Sequence, residues 1–366
     1  MKCGIITFHR AINFGAVLQT YALNKTIENL GVNCEVIDYY CPFLENHYKP
    51  FRIKDLFNIK KMAIIFLKNG YTKDNRINFE LFSEKYIKKS LKIYRTHSDL
   101  IQCNEEYDTF ITGSDQVWSY YCAGFDKAYF LDFVIDRHKK NSYGASFGVS
   151  KIPDEYRNKY RELLREFENI SVREKQGVEI VKNIIEKNAT QVLDPTLLLT
   201  KHEWMSITVD NDQKDKYLLV YLLAENKSII KLAKKIAEEK NIKIIYINDR
   251  LFKKSGMNNV GKIDPAKWLS LFLNAEYIVT NSFHGVCFSI NFHKEFYMQY
   301  LPEPAKVNSR LENILSLFDL SDRCIYNMST LNLENKVDYT KVEKKLNEER
   351  KKSIDFLKTI INYKKV

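Results

Sequence analysis

The stretch Lys2-Cys3-Gly4-Ile5-Ile6-Thr7-Phe8, followed by His9-Arg10-Ala11-Ile12-Asn13-Phe14-Gly15-Ala16, decides the fold class. Cys3–Phe8 is a short apolar run with polar residues after it, the pattern of a buried strand. The loop His9–Ala16 sets Gly15 near the start of a helix expected over Val17–Leu30. A second apolar run, Cys34–Tyr39, completes strand, helix and strand in the order and length of a βαβ unit. Such a unit favours a doubly wound parallel sheet.

The rhythm breaks over residues 42–105. That segment reads as a helical insertion with a basic, aromatic surface, from Phe51, Arg52, Lys60 and Lys61 through Arg76, Phe79 and Phe82 to Lys85, Tyr86, Lys88 and Lys89. Strands are then expected at Tyr107–Thr112, Asn141–Ala145, Asn169–Val172 and Gln191–Asp194, with helices at Pro153–Phe167 and Gln176–Glu186. Tyr217–Leu223 is a continuous apolar run that opens a second lobe. Helix Lys227–Lys240, strand Ile242–Ile247, helix Pro265–Asn274 and strand Tyr277–Thr280 follow it, and Tyr339–Tyr363 reads as one long amphipathic helix. The expected architecture is α/β, two Rossmann-like doubly wound lobes facing a cleft. The lobes occupy 1–205 and 206–335, and a C-terminal helix over 336–366 can return to the first.

A chain of 366 residues is long for a single core, which agrees with two domains. Its 45% hydrophobic and 28% charged content is that of a globular protein. No apolar run approaches the ~18 residues of a membrane span, and the start turns polar too soon for a signal peptide. Seven cysteines with no Cys-x-x-Cys pair argue against a disulfide framework or a cysteine-built zinc site, and point to reduced thiols in a cytoplasmic protein. The net charge of +11 is spread over the helices rather than gathered in a patch, which argues against nucleic acid. It suits an anionic small substrate, or peripheral contact with the inner face of a membrane.

In open α/β sheets ligands bind beyond the carboxyl ends of the strands, so the loops there carry the candidates. Asn13 and Gly15 sit at a helix start that suits an anion, although a tight turn explains them equally well. Gly113-Ser114-Asp115-Gln116-Val117-Trp118 crowds polar groups at a strand end. Asp115 there can accept a hydroxyl proton or simply cap a helix. Arg173 follows a strand and is placed to bind carboxylate or phosphate, or to pair with Glu174. Ser282 and His284 stand at the start of a buried helix, where a satisfied core histidine is the common alternative. Arg310 lies in the first turn of another helix, unfavourable for a cation unless an anion is near. No metal-binding motif, P-loop or nucleophile elbow is present.

Taken in order, Asn13-Phe14-Gly15-Ala16-Val17-Leu18-Gln19, Gly113–Trp118, Ser171-Val172-Arg173-Glu174, Asp194-Pro195-Thr196 and Ser282-Phe283-His284-Gly285 resemble the polysaccharide pyruvyl transferase family. The likeness runs from Lys2 to about Leu320. It implies a GT-B-like fold and transfer of pyruvate from phosphoenolpyruvate, as a ketal, onto sugar hydroxyls of a cell-surface polysaccharide or its lipid-linked precursor. Phosphoenolpyruvate is then the donor substrate, with no cofactor and no metal. Relatives carry an Arg-x-His element that supplies a donor-binding arginine and a histidine acid. Here His284 matches the histidine, Ser282 stands in the arginine's place, and Arg173 matches the family's other donor-binding arginine. The resemblance leaves Arg310 to replace the missing charge and Asp115 to orient the attacking hydroxyl, with Ser114, Gln116 and Trp118 on the acceptor loop. Two rival readings stay open: a GT-B-type glycosyltransferase using a nucleotide sugar, and a non-catalytic binding relative, which Ser282 favours.

Overall fold

The opening strand, β1 (Lys2–Ile6), lies at the centre of a parallel sheet because four of its five residues are fully enclosed. The computed structural model describes residues 1–47, 75–210, 213, 215–249, 253–301 and 308–361. The chain divides into two units, one of 1–48, 83–199 and 347–366, the other of 49–82 and 200–346.

In the first unit β1 leads into α1 (Phe14–Asn29), β2 (Asn33–Tyr39) and α2 (Pro42–His47). Helix α1 is buried on nearly every side, so it has no polar face to define an amphipathic stripe. It starts three residues before the expected Val17, because the Asn13 side chain accepts from the Ala16 N–H (3.1 Å) and caps it. A helix over 75–86, α3, reaches into this unit, and β3 (Lys89–Tyr94), α4 (His97–Ile101), α5 (Cys103–Glu106) and β4 (Thr109–Thr112) follow. Next come β5 (Lys140–Ser142), α6 (Asp154–Leu164), β6 (Ser171–Val172), α7 (Lys175–Ile185) and β7 (Thr190–Gln191). The strand order is β3-β2-β1-β4-β5, all parallel, and single bridges from Asn141 to Asn169 and from Ala145 to Val172 carry the sheet on to β6 and β7.

The expectation of a purely helical insertion over 42–105 is corrected here. Residues 89–94 are the third strand of the sheet, so much of the segment is the crossover between β2 and β3. Lys-Ser-Leu-Lys-Ile-Tyr escapes a hydrophobic reading because it is an edge strand, with Leu91 and Ile93 exposed and lysines guarding the open edge. The aromatic surface is also corrected in part, since Phe79 and Phe82 are buried. Phe51, Arg52, Lys60 and Lys61 lie outside the described residues.

The second unit holds α8 (Lys201–Met205), β8 (Tyr217–Tyr221), α9 (Lys227–Lys240), β9 (Lys243–Ile247), β10 (Asn258–Val260) and α10 (Pro265–Asn274). Then come β11 (Tyr277–Thr280), α11 (Phe283–Asn291), β12 (Glu295–Met298) and α12 (Ser309–Leu317). Its strand order, β10-β9-β8-β11-β12, repeats that of the first unit, again all parallel. Each unit is thus a Rossmann-like lobe whose order reverses beside its own first strand. Local signals explain the close match of the helix ends here. Asp264 caps α10 with Pro265 at its first position, and Asn226 caps α9, which stops at Asn241 in the left-handed region.

Trp118 anchors the first lobe's core, stacked on Phe130 at 5.9 Å and flanked by Phe147 and Phe167. In the second lobe Trp268 is fully buried and stacks on Phe272 at 4.0 Å. The last helix, α13 (Tyr339–Ile361), begins in the second unit, while its residues from 347 onward belong to the first. There Arg350 donates to the Leu197 carbonyl (2.7 Å) and the Ser353 hydroxyl accepts from the Leu193 N–H (2.9 Å). Among the described residues no helix is long and apolar enough to cross a membrane.

Candidate functional site

The reversal of strand order in the first lobe falls between β1 and β4, and the loops leaving those strands are tied together. Thr7 Oγ1 donates to the Ser114 carbonyl (3.2 Å), the Ser114 N–H donates to Gln19 Oε1 (3.1 Å), and Gln19 Nε2 donates back to Thr7 Oγ1 (2.9 Å). Gln19, the last residue of the first motif, is therefore a brace between two loops. Gly113 is obligatory beside it, since a Cβ would lie 2.2 Å from the Tyr143 carbonyl oxygen.

Asp115 emerges from this braced loop half-buried, with φ 70° in the left-handed region that a side chain tolerates poorly. Its carbonyl accepts from the Ser146 N–H (2.9 Å), and its carboxylate accepts from Arg173 Nη2 (3.0 Å). Arg173 comes from the end of β6 and its side chain is fully buried. Its Nη1 donates to Asp194 (2.7 Å), while Nε lies 3.6 Å from Glu174. Burial disfavours the cation, but Asp115, Asp194 and Glu174 outweigh it and push the guanidinium above its ordinary value. Asp194 and Glu174 were absent from the expected site. The signal for Asp194 was the Asp-Pro-Thr motif, whose aspartate also accepts from the Thr196 N–H (3.0 Å) and hydroxyl (2.8 Å).

The other acceptor-loop candidates diverge. Ser114 is buried and donates to the Gly144 carbonyl (2.8 Å), Gln116 is half-buried and accepts from the Cys122 thiol (3.4 Å), and Trp118 is enclosed with its indole N–H on the Tyr129 carbonyl (3.1 Å). Asn13 is spent as a helix cap, and Gly15 lies buried in the first turn of α1.

In the second lobe the reversal falls between β8 and β11. Asn281, after β11, accepts from the Leu223 N–H (2.8 Å) and donates to the Ala224 carbonyl (2.5 Å), binding the two switch-point loops. Ser282, where relatives carry arginine, is the N-cap of α11: its hydroxyl accepts from the Gly285 N–H (3.2 Å). His284 follows in the first turn, 8% exposed, its ring edge-on to Phe283 at 5.3 Å. The Arg310 guanidinium, from the start of α12, lies over the Phe283 ring at 5.8 Å. A histidine and an arginine thus gather about one aromatic ring at a helix N-terminus, whose dipole favours negative charge. Such a grouping can hold an anion and pass it a proton.

Gly285 lets α11 approach β11. A Cβ there would lie 2.4 Å from Thr280 Oγ1, which is fixed by donating to the Tyr221 carbonyl (2.7 Å) and accepting from the Ser282 N–H (3.1 Å). Gly285→Ala is expected to cost ~1–3 kcal/mol, read as a lower urea midpoint with unchanged slope.

Among the described residues, no three His, Cys, Asp or Glu side chains gather to hold a metal. Compared by sequence with curated proteins, the chain matches none. Compared with solved structures, it is similar in fold to UDP-GlcNAc 2-epimerase from Methanocaldococcus jannaschii (16% identity, all of both chains covered, TM-score 0.52). It is also similar to UDP-GlcNAc 2-epimerase from Neisseria meningitidis (10% identity, 98% of this chain and 99% of the other, TM-score 0.51). At such identities the likeness is one of fold. The model of the polysaccharide pyruvyl transferase family matches residues 13–298, a span that contains Gln19, the Gly113–Trp118 loop, the Arg173 cluster and His284 but neither Thr7 nor Arg310, and the chain belongs to that family.

Proposed function

We propose that the chain transfers the pyruvyl group of phosphoenolpyruvate onto two hydroxyls of one sugar in a cell-surface polysaccharide or its lipid-linked precursor, forming a cyclic ketal. The observation that carries this reading is the gathering of His284 and Arg310 about Phe283 at the N-terminus of α11. The donor's carboxylate and phosphate need cationic and dipolar partners, and Arg310 with the helix terminus provides both. His284 gives a proton to the methylene carbon, which becomes the methyl group and leaves positive charge at C2. One sugar hydroxyl adds there and surrenders its proton to solvent. Phosphate then leaves with the electrons of the C2–O bond, and the second hydroxyl adds, its proton passing to phosphate or water. His284 regains its proton from solvent.

Titration calorimetry of the protein with phosphoenolpyruvate, a UDP-sugar and a GDP-sugar tests the reading. Binding of phosphoenolpyruvate alone is the expected result, weakened ~10-fold or more in Arg310→Lys, which keeps the charge and loses the planar fork. Binding of a nucleotide sugar instead would make the chain a glycosyltransferase. Binding of none of the three would favour a non-catalytic relative.

A further inference from the structure

We infer that the first unit carries a binding site for a diphosphate, built from Arg10, Tyr40 and Arg95 at the carboxyl ends of β1, β2 and β3. All three residues lie within that unit, so the inference stands apart from the donor proposed at Arg310 and His284. The strands are neighbours in one parallel sheet, in the order β3-β2-β1, and their ends open on the same edge. That edge is where open α/β sheets bind ligands. Arg10 stands in the loop after β1, while Tyr40 and Arg95 come directly after β2 and β3. The Tyr40 N–H donates to the Tyr94 carbonyl (2.8 Å), which fixes the tyrosine beside the root of Arg95. The guanidinium carbons of Arg10 and Arg95 lie 5.9 and 5.1 Å from the centre of the Tyr40 ring.

Arg10 is held from below. It is half-buried, and its Nε donates to Asp38 (2.7 Å). The same carboxylate meets His9 Nε2 (2.9 Å), while His9 Nδ1 lies 3.1 Å from the Thr7 carbonyl. With an acceptor at each ring nitrogen, His9 satisfies both only as a double donor, a cation. Burial raises the Asp38 carboxyl, but His9 and Arg10 prevail and hold it down at about 2. Glu45 stays 3.8 Å from Arg10 Nη1, beyond hydrogen-bond reach. Three cationic groups thus face two buried carboxylates, and the excess charge lies outward. Among the described residues, the terminal nitrogens of Arg10, the exposed Arg95 guanidinium and the Tyr40 hydroxyl have no hydrogen-bond partner. Cation–π contact at an exposed ring is a small gain, which two like charges on one ring offset in part. An anion between them turns that repulsion into binding. A single carboxylate has two oxygens and is satisfied by one fork, whereas a diphosphate spreads its oxygens over two tetrahedral centres and can engage both.

Titration calorimetry of the full chain at low ionic strength tests the site with inorganic pyrophosphate, UDP and geranyl diphosphate. At least one of the three is expected to bind, and the tightest names the source: a free anion, a nucleotide or a lipid headgroup. Its affinity should fall about 10-fold or more in Arg95→Ala, further in Arg95→Glu, and about threefold in Tyr40→Phe, which removes only the hydroxyl. Arg95 is exposed, so its variants should fold, and near-UV circular dichroism checks that they do. Citrate, which carries similar charge on planar carboxylates, should bind about 10-fold more weakly than the best diphosphate. The affinity for phosphoenolpyruvate should be unmoved in Arg95→Ala, so either proposal can fail while the other stands. Failure of all three diphosphates to bind, affinities untouched by Arg95→Glu, or citrate binding as tightly as the best diphosphate overturns the inference.

Discussion

His284→Asn is expected to lose ~10²–10⁴-fold in turnover while binding phosphoenolpyruvate as the wild type does. Asparagine is close in size and can still donate a hydrogen bond, so the first turn of α11 and the contact with Phe283 should survive. It cannot release a proton to carbon. Rapid-quench measurement of pyruvyl transfer, beside calorimetry of donor binding, separates chemistry from affinity. A folded Asn variant with near-native turnover would remove His284 from the acid role and make it a structural histidine.

The largest stability effect is expected at Asp194. Asp194→Ala removes the buried partner of Arg173, the acceptor for the Thr196 N–H and the acceptor for the Thr196 hydroxyl at once. A fully buried guanidinium is then left with less compensation, a change that costs ~3–5 kcal/mol. At ~2–4 °C per kcal/mol for a lobe of this size, the transition should fall by roughly 6–20 °C. Differential scanning calorimetry checks this. Asp194→Asn keeps acceptors for Thr196 and should lose about half as much.

Much of the fold was legible because its signals are local. Lys227–Lys240 and Pro265–Asn274 have the bounds read from the sequence, and Tyr277–Thr280 is an unbroken apolar run. Lys89–Tyr94 was not, since an edge strand with exposed Leu91 and Ile93 has neither alternation nor an apolar run to mark it. At the candidate site the loops were found but not the wiring. Glu174 is the next residue, but the other partners of Arg173, Asp194 and Asp115, stand 21 and 58 residues away along the chain, and no window of sequence holds both. Ser282 could be read as a lost arginine, while its service as a helix cap follows from the motif only once the helix start is known.

The last helix sets an order of events during synthesis. Residues 347–361 complete the first unit, burying Leu357, Ile360 and Ile361 and meeting the Leu193 N–H and the Leu197 and Leu199 carbonyls. The ribosome must add all of 200–346 before they exist, a wait of roughly 7–30 s at ~5–20 residues per second. Through that interval the nascent first lobe has its sheet but not its last partner, while the second lobe gains every strand of its own sheet. The half of the protein made first is thus the half finished last.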